Sequence, residues 1–167
     1  RTFCENRLTK VCDRRSIDAR LHLRSVRGVG FGRMAYGGEV RIEAGGFESF
    51  YLAQVPLNGR ELVSAGGETV LSAGSSGSVI NANQPVQIDH AADAEKLVVK
   101  VDREALERSC IQHLGHGMRQ PLEFRLAMSL DGPEGMRWSS LLRWIYESLM
   151  VDERSFAEGQ IETRIEA

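Results

Sequence analysis

The sequence predicts an α+β fold class in which a jelly-roll β-barrel comes first and helices come last. Between Gly28 and Val101, short apolar runs are separated by turn-forming pairs such as Gly37-Gly38 and Asn58-Gly59. The regular spacing of these runs is typical of an all-β sandwich or barrel. Apolar residues at three- and four-residue spacing begin only after Asp102, which indicates helices that are segregated from the strands.

Eight barrel strands are predicted. Each is a short apolar or alternating run that is bounded by glycine, asparagine or proline, and this number of strands fits a jelly roll. The predicted strands are Val29–Tyr36, Val40–Ala44, Phe50–Leu57, Glu61–Ala65, Glu68–Ser72, Ser78–Asn81, Val86–His90 and Lys96–Val101.

Helices are predicted in the last third of the chain. Asp102 is placed to cap a helix over Arg103–Leu114, and Gly115 is placed to end it. A longer helix from about residue 134 to residue 150 follows the turn-rich residues 131–133. A further helix is expected from about Phe156, with Ile161 and Ile165 on its apolar side.

Length and composition narrow the class of protein. A chain of 167 residues suffices for one domain with a sizeable core. Lysine and arginine total 21 against 23 aspartate and glutamate residues, and this balance does not favour unaided binding of nucleic acid. The three cysteines contain no C-x-x-C pair, and no apolar run approaches the length of a membrane span. We therefore expect a cytoplasmic protein without a disulfide framework and without membrane contact.

Three segments of the barrel region resemble the ligand-sensing domain of AraC/XylS-family transcription regulators. They are FGRMAYGGEVRIEAGGFESFYLAQVPLNG at 31–59, GSVINANQP at 77–85 and EKLVVKVD at 95–102. The similarity runs from about Leu21 to Cys110 and is greatest to the branch whose members sense aromatic acids. It implies a cupin-like barrel that binds a small molecule, a helical segment that pairs two subunits, and a separate DNA-binding domain with two helix-turn-helix units.

Three regions are expected on this basis. Residues 1–27 form an N-terminal arm that serves as a lid, residues 28–101 form the cupin-like effector-binding barrel, and residues 102–167 form a helical dimerisation and linker segment. Nothing between Gly115 and Ala167 offers a helix-turn-helix pattern with a basic recognition helix. We therefore expect contact with DNA only through a domain outside this chain.

No catalytic residue, metal ligand or cofactor is predicted. A cupin metal site needs about three histidines and a carboxylate, whereas the barrel region contains His90 alone. His113 and His116 lie in or just beyond a helix and lack an obvious third ligand. The serines at 75 and 76 lack the spacing and the strand-to-helix setting of a nucleophile elbow. The alternative to a sensor is a cupin-type metalloenzyme, an isomerase or dioxygenase, which a stoichiometric transition metal would support.

Arg41 is the first predicted ligand-binding residue. In the strand Val40–Ala44, Arg41 and Glu43 share one face and the apolar residues share the other, so one of the two faces must look into the barrel. The resemblance implies that Arg41 contacts the ligand. A guanidinium in a partly dry cavity needs an anion, and its geometry matches a carboxylate. The alternative is a surface arginine that pairs with Glu39 or Glu43.

Four further ligand-binding residues are predicted. Gln54 is a polar residue in an otherwise apolar strand, and a buried amide requires hydrogen-bond partners. Tyr51 lies on the opposite face of the same strand. Lys96 is near the expected mouth of the barrel, although lysine is more commonly exposed. His90 ends its strand at the barrel rim, where water is the alternative partner.

A homodimer interface is predicted on the long helix. One side of that helix carries apolar residues in excess of what the barrel is expected to cover, and the resemblance implies that two subunits pair through this region. The predicted interface residues are Trp138, Leu141, Leu142, Ile145 and Leu149. The alternative is that these residues simply pack against the barrel.

The leading hypothesis is therefore an effector-binding and dimerisation domain of a transcription regulator. A small molecule, anionic or aromatic, would enter the barrel and bias an attached helix-turn-helix domain. A third hypothesis, besides the metalloenzyme, is a protein-interaction module with a sealed barrel, which predicts no interior cavity large enough for a ligand.

Overall fold

The computed structural model describes residues 6–11, 17–118, 120–151 and 161–162, with side chains from 17 to 118 and from 120 to 148. These residues form twelve strands and two helices. The strands are β1 Asn6–Val11, β2 Arg20–Val26, β3 Val29–Ala35, β4 Val40–Ala44, β5 Phe50–Asn58, β6 Glu61–Ala65, β7 Glu68–Ser72, β8 Ser76–Ile80, β9 Val86–His90, β10 Glu95–Asp102, β11 Ala127–Ser129 and β12 Ile161–Glu162. The helices are α1 Arg103–Leu114 and α2 Gly132–Val151.

The strands form two antiparallel sheets. One sheet has five strands in the order β1-β4-β9-β6-β7, and the other has seven in the order β11-β8-β5-β10-β3-β2-β12. Strands that neighbour each other in space are mostly distant in sequence, as a jelly roll requires. The predicted α+β class, with a jelly-roll barrel followed by helices, is confirmed.

Tight turns end several strands at the positions that the glycine and asparagine residues of the sequence predict. Gly59 follows β5 with φ of 60°, and a Cβ there would lie 2.7 Å from the backbone of Ala94. Glycine is required at this turn for both reasons, since side chains rarely adopt positive φ and the space is filled. Turn residues of this kind explain why β4, β6, β7 and β9 have the predicted bounds.

Two segments differ from the predicted organisation. β2 lies within the predicted arm, but it pairs with β3 along its whole length and buries Leu21 and Leu23, so the barrel begins before Gly28. β1 also lies within the arm and pairs with β4. Ile161 and Glu162 were expected in a helix but form β12, which pairs with β2. Phe156 and Ile165 lie outside the described residues.

Apolar side chains fill two separate clusters. The interior cluster lies between the two sheets and includes Ile42, Val63, Ile80, Ile88 and Val98. The outer cluster lies between the seven-stranded sheet and α2. Its buried members are Val55, Leu97, Val99, Leu130 and Leu142. The seven-stranded sheet is therefore covered on both faces.

Helix α1 has the predicted ends. The Asp102 side chain accepts a hydrogen bond from the Ala105 N–H at 2.9 Å, and Gly115, with φ of 75°, donates its N–H to the Ile111 carbonyl. Both contacts satisfy backbone groups that have no partner within the helix. The helix consequently begins and ends where the sequence predicts.

Candidate functional site

The period of two along β5 decides which side chains enter the barrel. Phe50, Leu52 and Gln54 face the interior, whereas Tyr51 and Val55 face the outer surface of the seven-stranded sheet. Alternation along β10 likewise turns Lys96 and Val98 inward. Gln54 and Lys96 therefore enter the barrel from adjacent strands.

Six buried polar residues extend from six different strands at one end of the barrel, and we refer to them as the polar layer. β5 contributes Gln54 and β8 contributes Ser78, which pair in register. Glu61 on β6 pairs in register with both Ser72 on β7 and His90 on β9. The six residues, all below a tenth exposed, are Gln54, Glu61, Ser72, Ser78, His90 and Lys96.

Lys96 is bound at the centre of the polar layer. Its Nζ donates one hydrogen bond to Gln54 Oε1 and another to Glu61 Oε2, the latter at 2.6 Å. Both charged side chains are 4% exposed. A buried ammonium without a carboxylate would be strongly destabilising, so Glu61 is the counterion that makes the inward position of Lys96 possible.

Several polar atoms of this layer have no hydrogen-bond partner among the residues that the structure describes. They are Gln54 Nε2, Glu61 Oε1, Ser72 Oγ, Ser78 Oγ and His90 Nε2. An unpaired buried polar atom costs about 1–3 kcal/mol, and buried polar groups are therefore almost always paired with protein, water or ligand. Their concentration in one place means that the polar layer offers donors and acceptors to water or to a bound molecule.

His90 is neutral within the layer. Burial, assisted by the charge of Lys96, lowers the pKa of His90 to about 4. Its Nδ1 lies 3.1 Å from the Ala91 carbonyl, which can only accept, so Nδ1 carries the hydrogen. Nε2 then presents a lone pair, and it lies 3.9 Å from Glu61 Oε2. The ring of Tyr36 packs edge-on against His90, and burial raises the pKa of Tyr36 to about 12.

A cavity of about 40 Å³ adjoins the polar layer inside the barrel. Gln54 and Lys96 form its polar end, and aliphatic and aromatic side chains form the remaining walls. Those walls are Met34, Tyr36, Ile42, Ala44, Phe47, Leu52, Val86, Ile88 and Val98. The volume is close to that of one water molecule in the liquid, about 30 Å³. The hypothesis of a sealed barrel predicts no interior cavity large enough for a ligand, and a cavity of this size does not contradict it.

Arg41 does not face this cavity, which corrects its expected position. Val40, Ile42 and Ala44 take the inward face of β4, because apolar groups are buried at less cost than a guanidinium. Arg41 lies on the outer face and forms a bidentate pair with Asp89 on β9. Asp89 supplies both hydrogen bonds of this pair, and the charge of Glu43 also acts on Arg41. Arg41 lines a groove of about 280 Å³ outside the barrel.

Tyr51 also lies away from the polar layer. It points out of the barrel, and its hydroxyl donates to the Leu122 carbonyl at 2.8 Å. There it lines an outer cleft of about 480 Å³, together with Leu106, Phe124 and Trp138. The structure thus brings together Gln54, Lys96 and His90 of the five predicted residues, and it separates Arg41 and Tyr51 from them.

Glu61, Ser72 and Ser78 are members of the layer that the sequence analysis missed. Each shares a strand face with apolar residues, as Glu61 does with Val63 and Ala65. A carboxylate on the apolar face of an alternating strand is the signal that identifies Glu61, because such a position is buried only with a partner.

Comparison with known proteins places the chain in a family. The model of the AraC-binding-like domain matches residues 1–163. The chain belongs to this family. This confirms the resemblance on which the sequence analysis relied. The AraC-binding-like domains are sensor domains of transcription regulators, so the prediction that the chain is not an enzyme is also confirmed.

Curated relatives of this AraC-binding-like domain are longer proteins. XylDLEGF operon transcriptional activator 1 of Pseudomonas putida is 29% identical over 116 residues, covering 70% of the chain and 36% of the relative. The probable thc operon regulatory protein of Rhodococcus erythropolis is 26% identical over 124 residues, covering 72% of the chain and 37% of the relative. The chain thus spans about a third of the length of these relatives.

A solved structure shares the fold of this AraC-binding-like domain. The crystal structure of the AraC-like transcriptional activator CuxR superposes with a TM-score of 0.62 at 12% identity, covering 87% of the chain and 52% of CuxR. This likeness supports the cupin-like jelly roll. Within the described part of the chain, neither α1 nor α2 has the length and apolarity needed to cross a bilayer. No group of three or more histidine, cysteine, aspartate or glutamate side chains suited to a metal occurs among the described residues.

The predicted dimer residues of the AraC-binding-like domain fall on two sides of α2. Leu142 is 2% exposed, and Trp138 packs beside it against the outer face of the seven-stranded sheet. Leu142 is therefore corrected to a core residue, because the apolar outer face of the sheet needs cover. Leu141 is 46% exposed, and Ile145 is half-buried. The side chain of Leu149 lies outside the described residues.

Proposed function

We propose that this AraC-binding-like domain binds a small effector inside its barrel and transmits its binding to an attached helix-turn-helix domain. The observation that carries the proposal is the group of unpaired polar atoms in the polar layer, one of which belongs to Gln54 at the polar end of an otherwise apolar cavity. A molecule that pairs with these atoms recovers the free energy that their burial costs, so the site favours occupancy.

The size of the cavity sets a condition on this proposal. A benzene ring requires a cavity of about 150 Å³, and the interior cavity measures about 40 Å³. Side chains of the wall must therefore move when a ring enters. Met34 is the side chain best able to do so, because it is half-buried and its unbranched thioether adopts many conformations. Binding is accordingly coupled to a change in the barrel wall.

The attached DNA-binding domain is proposed from the relatives. Two of them are named an operon transcriptional activator and an operon regulatory protein, and both extend well beyond the matched region. We propose a homodimer as well, through the exposed side of α2, where Trp144 is 65% exposed and Met136 and Leu141 are further exposed apolar side chains of the same helix. An apolar surface of this kind on a helix favours a partner.

Calorimetric titration of the purified chain tests effector binding. The titrants are aromatic acids, aromatic alcohols and sugars, and the variants are Gln54→Leu in the polar layer and Arg41→Ala on the outer face. We expect at least one titrant to bind the wild type and Arg41→Ala equally, and to bind Gln54→Leu at least about tenfold more weakly. Binding that Gln54→Leu leaves unchanged contradicts a barrel site. The absence of binding by every titrant contradicts the proposal itself.

Tryptophan fluorescence of the same samples separates the barrel from the outer cleft. Trp138 lines the cleft and lies outside the barrel. When Trp144 is replaced by phenylalanine, the change in Trp138 emission that a barrel-bound effector causes should be lost on addition of the Gln54→Leu substitution. Quenching that Gln54→Leu leaves unchanged places the ligand in the cleft and contradicts the proposal.

A further inference from the structure

The charge of the barrel interior determines which chemical class of ligand it accepts. The expectation of an anion depended on an inward Arg41, and Arg41 is outside and paired with Asp89. Lys96, the cation that lines the cavity, is already paired with Glu61. His90 adds no charge near neutral pH, since its pKa is about 4. The interior therefore has no uncompensated positive charge among these residues.

Hydrogen-bonding capacity at the cavity is equally specific. Lys96 has only hydrogens to donate, so the atom of Gln54 that faces it must be Oε1, and the amide nitrogen has no partner in the described part of the chain. Gln54 Nε2 thus offers a donor at the polar end of the cavity. An oxygen with a lone pair completes this contact.

We infer that the interior site takes a neutral, mostly apolar molecule with an oxygen acceptor at one end, and that it discriminates against carboxylates. This inference rests on the proposed function, since it specifies the ligand class of the same site. The apolar body lies against the aliphatic and aromatic walls, and the neutral oxygen accepts from Gln54 Nε2. A carboxylate also accepts from Gln54, but it loses its hydration without gaining a free cation and it enters beside the Glu61 carboxylate.

Three probes that share one ring test this inference by calorimetry at pH 7. Benzyl alcohol carries a neutral oxygen, benzoate carries a charged one, and toluene carries none. We expect benzyl alcohol to bind the wild type at least about tenfold more tightly than benzoate. It should also bind more tightly than toluene, because only the alcohol accepts from Gln54.

Two variants connect the result to the cavity. Gln54→Leu should lower the affinity for benzyl alcohol to the affinity that the same variant has for toluene. Met34→Ala should raise the affinity for benzyl alcohol because it enlarges the cavity. Arg41→Ala is the matched control and should bind all three probes as the wild type does. Circular dichroism verifies the fold of each variant, and the comparison of the three probes on the wild type stands even if a variant fails to fold.

The outcomes that overturn the inference are distinct from those that overturn the proposed function. Benzoate binding that equals or exceeds that of benzyl alcohol, and that Gln54→Leu weakens, overturns the neutral-ligand inference but supports effector binding in the barrel. A sugar that binds when benzyl alcohol does not, and whose binding Gln54→Leu weakens, overturns the mostly apolar character of the ligand and likewise supports effector binding in the barrel. Benzyl alcohol that binds no better than toluene overturns the acceptor contact. Failure of every titrant overturns both.

Discussion

At the scale of single residues, the unusual feature is a charged pair inside a small barrel. Lys96 and Glu61 are both nearly inaccessible to solvent, and Gln54 supplies a second acceptor to the ammonium. The attraction within a buried pair offsets the desolvation of two ions only when further hydrogen bonds are made. The effect of removing one member consequently differs from the effect of removing both.

Replacement of Lys96 by methionine should destabilise the fold by about 3–5 kcal/mol, because it leaves the Glu61 carboxylate buried without a counterion. The double variant Lys96→Met/Glu61→Leu should recover most of this free energy of unfolding. Urea denaturation measures both effects. A loss below about 1 kcal/mol in the single variant, as for exposed ion pairs, would show that the pair is not buried in solution.

His90 should make stability depend on pH. Its pKa is lowered from 6.5 to about 4 in the folded chain, so the unfolded chain binds more protons between these values. The free energy of unfolding should therefore fall as the pH drops from 7 towards 4, by about 2 kcal/mol at pH 5. His90→Gln should remove this part of the dependence, whereas His22→Gln, at an exposed histidine, should retain it. Urea denaturation at pH 7 and pH 5 measures the difference, and an unchanged slope in His90→Gln would refute the assignment.

Residue positions were predictable only where alternation and chemistry agreed. Gln54 was predicted because an amide within an apolar strand needs partners, and the structure places it inside the barrel. Arg41 was expected inside because the resemblance outweighed the apolar character of Val40, Ile42 and Ala44. Glu61 was missed because its partner, Lys96, is 35 residues away, and a pairing across two sheets is not visible along the chain.

At the scale of elements, α2 has apolar residues on most of its circumference. Leu142, Trp138 and Tyr146 pack on the seven-stranded sheet, and Leu141 and Trp144 point away from it. The sequence predicted the helix, but it did not predict which of its apolar residues pack on the sheet and which are exposed. An apolar residue type alone does not say whether the sheet or another surface covers that side chain. The same ambiguity led to the expectation of a helix at Ile161, where the backbone instead pairs with β2.

The two sides of α2 should respond differently to truncation. Leu142→Ala should lower the free energy of unfolding by about 3 kcal/mol, since it leaves a cavity against the sheet. Leu141→Ala, one residue away, should lower it by less than about 1 kcal/mol. Chemical denaturation of the two variants is the measurement. Equal losses at both positions would contradict the packing described.

Association of the chain should depend on the exposed side of α2. Trp144→Glu places a charge at the centre of the proposed interface and should weaken dimerisation by at least about tenfold. Sedimentation of the wild type over a range of concentrations should show the mass of two chains, and the variant should remain a monomer. Arg143→Glu, at a neighbouring exposed position of the same helix, is the charge control. A wild type that stays monomeric at the highest concentrations would refute the homodimer.

At the scale of the whole molecule, the chain was most predictable where turns are short. Glycine and asparagine residues at the turns predicted the observed bounds of four barrel strands, and capping residues predicted both ends of α1. The order of strands in the sheets was not predictable, because neighbouring strands such as β4 and β9 are far apart in sequence. The start of the barrel was placed too late for a related reason, since β2 alternates charged and apolar residues and resembles an exposed arm.

Protection from hydrogen exchange should follow the position of each strand in the sheets. β10 lies between β5 and β3 and is covered on both faces, so its central amides at Val98 and Val99 should exchange only through global unfolding. β7 is an edge strand with Leu71 exposed, and its amides should exchange through local opening. Exchange measured by NMR distinguishes the two strands. Equal protection in β7 and β10 would contradict the arrangement.

β10 also determines how far a signal must travel. Lys96 and Val98 point into the cavity, whereas Leu97 and Val99, the residues that follow each of them, lie beneath α2. The wall between effector and helix is one strand thick, and the shortest covalent path from the ammonium-bearing residue to a residue in contact with the helix is a single peptide bond. A change in the interior that alters the backbone of β10 therefore reaches α2 without an intermediate structural element.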